Sequence, residues 1–166
     1  MITKFDTVDL MILRELQRDA TISSSEVADV VGMSQSPTWR RIANLEETGA
    51  IRRRVALIDR EVIGLALMVH VLIRLKDQSQ TTVDTFRSQV LAIPEIVQCH
   101  MLMGDIDFLL LVIAEDLAAY HRLLRNKLSR IPGVSGIDSR AVIEETKGTT
   151  ELPIDSLIKR AKTRDN

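Results

Sequence analysis

The sequence predicts an α+β fold in which a three-helix unit precedes a β-α-β-β-α-β unit. In the first part of the chain, short apolar stripes at helical spacing are separated by capping residues and glycines. From about residue 66, β-favouring apolar runs alternate with two helix-like segments, as in ferredoxin-like split-βαβ folds. We therefore expect domains at residues 1–57 and 66–150, a hinge at 58–65 and a tail at 151–166.

Composition is typical of a globular protein in a reducing compartment. The 166 residues are 45% hydrophobic and 27% charged, and the formal net charge is -1. Cys99 is the single cysteine, which excludes an internal disulfide and gives no metal-ligand set. The start of the chain lacks the apolar core of a signal peptide, and no apolar run reaches the ~18 residues of a membrane span. We expect a cytoplasmic protein with no membrane partner, metal or cofactor.

Two short helices are predicted before residue 33. The first is capped by Asp6 or Thr7, and the second is capped by Ser23 or Ser24 and ends at Gly32. The apolar stripe of the first helix consists of Val8, Ile12, Leu13 and Leu16. That of the second consists of Val27, Val30 and Val31. Each helix has one apolar side to bury against its neighbours.

A third helix follows after a short link, which makes the pair a helix-turn-helix. Ser36 is its predicted cap, Pro37 its first residue and Gly49 its end. The residues predicted to face the core are Thr38, Ile42 and Leu45. The residues predicted to face outward are Gln35, Ser36, Trp39, Arg40 and Ala43, with Arg41 at the flank.

This outward face suggests DNA binding, because the amino-terminal part of a recognition helix contacts base edges in the major groove. The following segment, GAIRRRVALID, would form a wing that places guanidinium groups on phosphates. Residues 34–54 contain five arginines against two glutamates in a chain of nearly zero net charge. The candidate DNA-binding residues are Ser34, Gln35, Ser36, Trp39, Arg40, Arg41, Arg52, Arg53 and Arg54. The alternative is a purely structural three-helix unit with a solvated charged face, in which Trp39 packs rather than binds.

The second half contains four strand-like and two helix-like segments. The strands are ALMVHVLIRLK, IVQCHMLMG, FLLLVIA and GIDSRAVIEE, and the helices are TTVDTFRSQVLAI and LAAYHRLLRNKLSRI. The apolar face of the second helix comprises Leu117, Tyr120, Leu123, Leu124 and Leu128. This order predicts an antiparallel sheet with both helices on one face.

The first of these strands has one fully apolar face and one partly apolar face. One face carries Val69, Val71, Ile73 and Leu75, and the other carries Met68, His70, Leu72 and Arg74. Because the helices cover only one side of the sheet, the second face favours dimerisation sheet to sheet. A two-fold dimer would place two helix-turn-helix units at a fixed spacing that matches a pseudo-palindromic operator in double-stranded DNA.

The segment MGDIDF lies between the second and third strands. Asp105 and Asp107 follow a glycine there, which places carboxylates beside backbone amides. One interpretation is a simple Gly-Asp hairpin turn, which is the more common role of such a dipeptide. The other is an effector pocket, in which carboxylates bind an ammonium group and amides bind a carboxylate.

Taken together, these segments resemble the Lrp/AsnC family of feast/famine regulators. The resemblance rests on VGMSQSPTWRRIANLEETGAI, QCHMLMGDIDFLLLV, AYHRLLRNKLSRIPGV and AVIEE, which occur in the family's order from about Phe5 to Lys147. It implies a transcriptional regulator with a winged helix-turn-helix domain, a hinge and a RAM/ACT-like sensory domain. It also implies homodimers that assemble further, often into octamers, with an amino-acid effector between dimers. The effector residues implied are Met103, Gly104, Asp105, Arg140, Ala141 and Val142, alongside Asp107 from the loop.

An enzyme of the same architecture is the alternative. A related group decarboxylates haem precursors of the sirohaem type with histidines, for which His70, His100 and His121 are candidates. None of them is paired with a carboxylate at motif spacing, so structural roles are favoured and no catalytic residue is predicted. The tail carries a helix-like stripe, and its basic end is interpreted as a solvated terminus rather than a second DNA contact.

Overall fold

The computed structural model describes residues 5–164, with side chains up to residue 161. The chain divides into two compact units, Met1–Leu57 with Lys147–Asn166, and Ile58–Thr146. In chain order the elements are α1 (Thr7–Arg18), α2 (Ser24–Val31), α3 (Gln35–Glu47), β1 (Leu67–Leu75), α4 (Gln80–Leu91), β2 (Ile96–Met101), β3 (Phe108–Ala114), α5 (Leu117–Asn126), a 3₁₀ turn (Leu128–Arg130), β4 (Val134–Ala141) and α6 (Ile154–Arg164). The predicted α+β order is confirmed.

Helices α1, α2 and α3 of the first unit pack around one apolar cluster. Its buried members are Ile12, Leu16, Val27, Ile42 and Leu45. Asp6 caps α1 and Ser23 caps α2, each through a reciprocal capping box, which confirms the predicted helix starts. Gly32 ends α2 with φ of 70°, a left-handed conformation that glycine adopts without strain. The prediction that Val30 belongs to the buried stripe is wrong, since its side chain is exposed.

Helix α3 begins two residues earlier than the sequence predicted. Ser34, not Ser36, is the cap residue, and Pro37 is the third helical residue rather than the first. Proline is tolerated there because the amides of a helix's first turn have no intrahelical acceptor. The first turn is closed by Thr38, whose backbone N–H and hydroxyl both donate to the carbonyl oxygen of Ser34, at 3.3 and 3.0 Å.

The tail forms α6, which packs on α1 rather than extending alone. Ile154 and Ile158 bury against Leu10, a residue that the core of the three helices does not use. At the other end of the contact, the Gln17 side chain donates to the carbonyl oxygen of Leu152 and accepts from its N–H, both at 3.0 Å. Helix α1 is therefore covered on two sides, and the tail completes the first unit.

The segment after α3 differs from a regular wing. Residues 52–59 form neither helix nor strand. The predicted hinge is an ordered turn at residues 60–64, where the N–H of Leu65 donates to the carbonyl oxygen of Arg60 at 2.7 Å. The Asp59 carboxylate also accepts from the N–H groups of Glu61 and Val62 at 2.9 and 3.2 Å. Short-range hydrogen bonds thus fix this connection.

The second unit is a four-stranded antiparallel sheet with strand order β2-β3-β1-β4. One face is buried by α4 and α5. Its core includes Val69, Val71, Ile73, Val83, Phe86, Phe108, Leu110, Val112, Tyr120 and Leu123. Of the predicted apolar face of α5, Tyr120 and Leu123 are buried, Leu124 is half-buried, and Leu128 is buried in the 3₁₀ turn that follows. Leu117 was predicted wrongly, since it is exposed at the helix start. The opposite face of the sheet is half-buried at His70, Leu72, Leu109 and Leu111.

Candidate functional site

The outward face of α3 is the first candidate site. Thr38, Ile42 and Leu45 are buried, so the intervening positions must point away from the core. Ser34, Gln35, Ser36, Trp39 and Arg40 are exposed, and 61% of the Trp39 residue surface is accessible. An indole, an amide and a guanidinium therefore share one exposed surface over the first two turns of α3.

Arg41, predicted at the flank of this face, is held by α1. Its Nη1 donates to the carboxylates of Asp6 and Asp9, each at 2.7 Å. Partial burial raises the pKa of Asp6, but hydrogen bonds from the Asp9 N–H and from Arg41 outweigh it and leave this pKa below its usual value. Arg41 therefore fixes α3 against the start of α1, a role that no local pattern in the sequence indicates.

The three arginines after α3 are in different environments. Arg52 and Arg53 are exposed. Arg54 donates to the carbonyl oxygen of Ala20 at 3.1 Å and to the Glu46 carboxylate at 3.0 Å. Two of the three guanidinium groups are thus displayed, and the third ties the segment back to α3.

The loop between β2 and β3 is the second candidate site. Met103, Gly104 and Asp105 are exposed at its tip, and Gly104 has φ of 120°. The loop is closed by the N–H of Leu102, which donates to the carbonyl oxygen of Asp107 at 2.8 Å. Glycine is required at the tip, because residues with a side chain rarely adopt this backbone conformation.

Asp107, the other carboxylate of this loop, is 7% exposed. One oxygen accepts from the N–H of Leu75 at 2.7 Å, and the other accepts from the Gln78 side chain at 2.9 Å. Its own N–H donates to the carbonyl oxygen of Ile73 at 3.0 Å. Asp107 therefore anchors the loop to the end of β1. Gln78 was missed, because no local pattern links it to a residue 29 positions away.

The end of β4 carries the remaining candidate residues. Arg140 and Ala141 are exposed, and the Arg140 guanidinium donates to Asp138 at 2.9 Å on its own strand. Val142 is half-buried, and its N–H donates to the carbonyl oxygen of Met68 at 2.9 Å. These residues adjoin the first half of β1.

The strand register separates this end of β4 from the β2–β3 loop. Ala141 pairs with Val69, whereas the loop adjoins Ile73, which pairs with Phe108. Four strand residues correspond to about 13 Å. One copy of the chain therefore does not bring the two groups of predicted effector residues together.

The histidines are dispersed over the second unit. His70 is half-buried on the open sheet face, His100 is exposed on β2, and His121 is exposed on α5. His100 lies 3.4 Å from the Gln98 side-chain oxygen. Over residues 5–161, no three His, Cys, Asp or Glu residues are grouped to hold a metal ion. No helix in the described part of the chain is long and apolar enough to cross a membrane.

Two family models together match most of the chain. The model of the Lrp/AsnC ligand binding domain matches residues 68–152, and a winged helix-turn-helix DNA-binding model matches residues 5–52. The glutamate uptake regulatory protein of Zymomonas mobilis is 37% identical over 164 residues, covering 99% of both chains. These matches coincide with the two regions that contain the candidate sites.

The solved structures that resemble this chain are also transcriptional regulators. An AsnC family transcriptional regulator from Agrobacterium tumefaciens has a TM-score of 0.87 and 38% identity, covering 92% of this chain and 99% of that one. A transcriptional regulator from Neisseria meningitidis, solved as a complex with L-Met, has a TM-score of 0.88 and 30% identity, covering 93% and 99%. The similarity extends over both units.

Proposed function

Because the chain belongs to the Lrp/AsnC family of transcriptional regulators, we propose that it binds duplex DNA through α3 and that an amino acid modulates this binding. In this proposal, residues 1–57 are the DNA-binding domain and residues 66–150 are the ligand-sensing and oligomerisation domain. The observation that carries the proposal is the exposed face of α3, with Trp39 and Arg40 displayed above the buried Thr38 and Ile42.

The exposed side chains have the chemistry needed to distinguish bases. A glutamine such as Gln35 can bond adenine through two hydrogen bonds, an arginine such as Arg40 can do so with guanine, and the Trp39 ring can contact a thymine methyl group. Arg52 and Arg53 are available for phosphates, whereas Arg41 and Arg54 are engaged with carboxylates of their own unit. We therefore assign base contacts to α3 and backbone contacts to the segment that follows it.

Fluorescence anisotropy with the duplex upstream of the chain's own gene tests DNA binding. We expect binding that weakens steeply with salt. Replacing Gln35 and Arg40 together by alanine should reduce the affinity at least about tenfold, since a good base contact contributes roughly 1–3 kcal/mol. The matched control replaces Gln89 and Arg125, an exposed glutamine and arginine of the second unit, by alanine. Equal affinities of the two double variants would contradict the assignment to α3.

For the effector, we propose a site built from the Met103–Asp105 tip of one subunit and the end of β4 of another. The separation of about 13 Å along β1 supports two subunits, because one chain keeps these residues apart. Asp105 would bind an ammonium group, and Arg140 a carboxylate. The Zymomonas relative is named for glutamate uptake and the Neisseria neighbour was solved with L-Met, so amino acids are the first ligands to test.

Titration of single amino acids into the anisotropy assay tests this site. An effector should change the DNA affinity by roughly 5–150-fold, the usual range of allosteric coupling. Asp105→Ala should abolish the response while leaving DNA binding intact, and Asp84→Ala, an exposed carboxylate on α4, is the matched control. No response of the unmodified protein to any amino acid would refute effector control without affecting the DNA-binding proposal.

For assembly, we propose a homodimer through the open face of the sheet, with dimers associating further, up to an octamer. His70, Leu72 and Leu111 leave this face partly apolar and uncovered by helices. Leu72→Glu with Leu111→Glu should shift the mass measured by light scattering toward the monomer. Glutamates at Leu91 and Leu117, exposed positions on the helices that cover the other face, provide the comparison. An unchanged mass for the first pair would place the interface elsewhere.

A further inference from the structure

The second unit contains an open cavity of about 330 Å³, where α5 packs against the end of β3. Its apolar floor is formed by Ala114 of β3, by Ala119 and Leu123 of α5, and by Leu65 just before β1. The first three belong to the core of this unit or pack against it, so the floor is held in place by the fold itself. The volume is at the lower end of the range for small-molecule sites, so a ligand of this cavity must be small.

An ion pair forms one wall of the cavity. Nζ of Lys127, at the end of α5, donates to both carboxylate oxygens of Glu95, at 2.9 and 3.1 Å. This bond holds the pKa of Glu95 below its usual value, although partial burial acts in the opposite direction. The carbonyl oxygen of Glu95 also accepts from the N–H of Ile113 at 2.9 Å, which ties the wall to β3. The two charges of this wall therefore compensate each other.

The other polar side chains of the lining are not engaged by the protein. Glu115, Arg122 and Asn126 line the cavity, and their side chains form no hydrogen bond or ion pair within residues 5–161. Ala119, Arg122, Leu123 and Asn126 follow one another at helical spacing, so they form a single stripe along α5. A guanidinium and an amide without partners therefore lie beside the apolar floor.

A second depression, of about 200 Å³, adjoins the cavity on α5. Arg122 and Asn126 line both, and the second depression is also lined by His121 and Arg125. Among the lining residues, the charges left without a partner are the guanidinium groups of Arg122 and Arg125 against the carboxylate of Glu115. This excess of positive charge favours an anion. A guanidinium also matches the two oxygens of a carboxylate through two parallel hydrogen bonds.

We propose that this cavity binds a small aliphatic carboxylate. Its chain lies on the floor at Ala119 and Leu123, and its carboxylate group accepts hydrogen bonds from Arg122 and Asn126. The floor requires an apolar chain and the guanidinium requires negative charge, so a ligand with only one of these features binds weakly. An amino acid of the same skeleton would bring an ammonium group into a region of excess positive charge, which disfavours it. The inference goes beyond the proposed function and does not depend on it, because these residues lie outside α3 and outside the proposed effector site.

Saturation-transfer difference NMR with the full chain measures the binding of isocaproate, the probe chosen for this site. Acetate lacks the chain, isohexanol lacks the charge, and leucine adds an ammonium group to the same carbon skeleton. Arg122→Ala removes the guanidinium, and Ala119→Leu fills the cavity without changing its charge. The matched control is Arg130→Ala, an exposed arginine just after α5 that lines neither depression. Thermal unfolding verifies that the variants are folded.

We expect saturable binding of isocaproate, with the strongest saturation at its methyl protons because they lie on the apolar floor. Arg122→Ala should weaken binding roughly tenfold, which corresponds to the loss of a hydrogen bond to a charged group. Ala119→Leu should abolish binding, and Arg130→Ala should bind isocaproate as tightly as the unmodified protein does.

The inference is wrong if isocaproate does not bind, if Arg122→Ala and Arg130→Ala bind it equally well, or if acetate or isohexanol binds as tightly. Leucine is tested with the Asp105→Ala variant, in which the proposed effector site is disabled. If leucine binds this variant more tightly than isocaproate does, the cavity selects amino acids and the assignment to anions is wrong. DNA affinity is measured separately, so a failure here leaves the proposed function standing.

Discussion

Nη1 of Arg41 lies 2.7 Å from the Asp6 carboxylate, so α3 is held to the first residue before α1. Because these contacts leave the pKa of Asp6 below its usual value of 3.8, the stabilisation is present above that pH and is lost as the pH falls through the lower folded-state pKa. Asp6→Asn retains a cap residue and removes the charge. We expect it to cost about 0.5 kcal/mol at neutral pH, since solvent screens half-exposed pairs.

Denaturant unfolding at neutral pH and at about pH 3 provides the measurement, because an unperturbed aspartate is mostly protonated at the acidic value. The difference between Asp6→Asn and the unmodified protein should shrink toward zero as the pH is lowered. A difference that persisted unchanged would mean that the pair does not act through the Asp6 charge.

Trp39→Ala separates binding from stability. Because the side chain is mostly exposed, its removal should change the free energy of unfolding by less than about 0.5 kcal/mol. DNA affinity should fall by roughly tenfold, as expected when one apolar base contact is removed. Leu91→Ala, at an exposed position on α4, controls for the loss of surface apolar area. A large drop in unfolding temperature for Trp39→Ala would instead favour the interpretation of Trp39 as a packing residue.

The two carboxylates of the β2–β3 loop should behave oppositely. Asp107→Ala leaves the N–H of Leu75 without its acceptor, so we expect a loss of about 1–3 kcal/mol in the free energy of unfolding. Asp105→Ala should leave this free energy nearly unchanged, because the side chain is exposed. Denaturant titration of the two variants side by side makes the comparison. Equal losses would contradict the division into an anchoring and a displayed carboxylate.

Gly133 has a backbone conformation that favours glycine, and it lies close to the side chain of Thr82. Its φ is 90°, and a Cβ there would lie 2.6 Å from Cγ2 of Thr82. Gly133→Ala should therefore cost about 1–2 kcal/mol in backbone strain plus about 1–3 kcal/mol from crowding. Gly64→Ala, with φ of 85° and open space around it, measures the strain alone. Thr82→Ser removes the crowding methyl group. The double variant Gly133→Ala with Thr82→Ser should therefore be more stable than Gly133→Ala alone. If the two are equally stable, crowding is ruled out.

Helix α6 should contribute measurably to the stability of the first unit. Ile158→Ala removes a side chain that is buried against Leu10, and we expect a loss of about 2 kcal/mol. Leu157→Ala, at the neighbouring exposed position, should cost less than Ile158→Ala, about 0.5 kcal/mol. Thermal unfolding followed by circular dichroism gives both values. Identical melting curves for the two variants would argue against the packing of α6 on α1.

Helices and their caps could be predicted from the sequence, because interactions between neighbouring residues determine them. Ile12 and Leu16 recur at helical spacing, and Ser23 is followed by Glu26 three residues later, so a helix and a cap were both predictable. Leu10 was missed because it lies off that stripe, and its partner Ile158 is far away in sequence. A contact over such a separation leaves no periodic signal.

In the candidate sites, too, features set by neighbouring residues were predictable and contacts between distant residues were not. The outward face of α3 was predictable from the three buried positions, since helical geometry fixes the remaining directions. The separation of the loop at Asp105 from Arg140 was not, because it depends on the pairing of β1 with both neighbouring strands. Strand register is set by cross-strand packing and turn geometry, which a single sequence does not reveal. The engagement of Arg41 and Arg54 by carboxylates likewise needed the tertiary structure.

Since α6 belongs to the same compact unit as α1, residues 58–146 are an insertion within a discontinuous domain. Excising residues 1–57 at that boundary would leave the apolar side chain of Leu10 facing water, so the fragment would be less stable and more prone to self-association than the same helices in the full chain. A minimal version of this domain should instead join residue 57 to residue 147 through a short flexible linker.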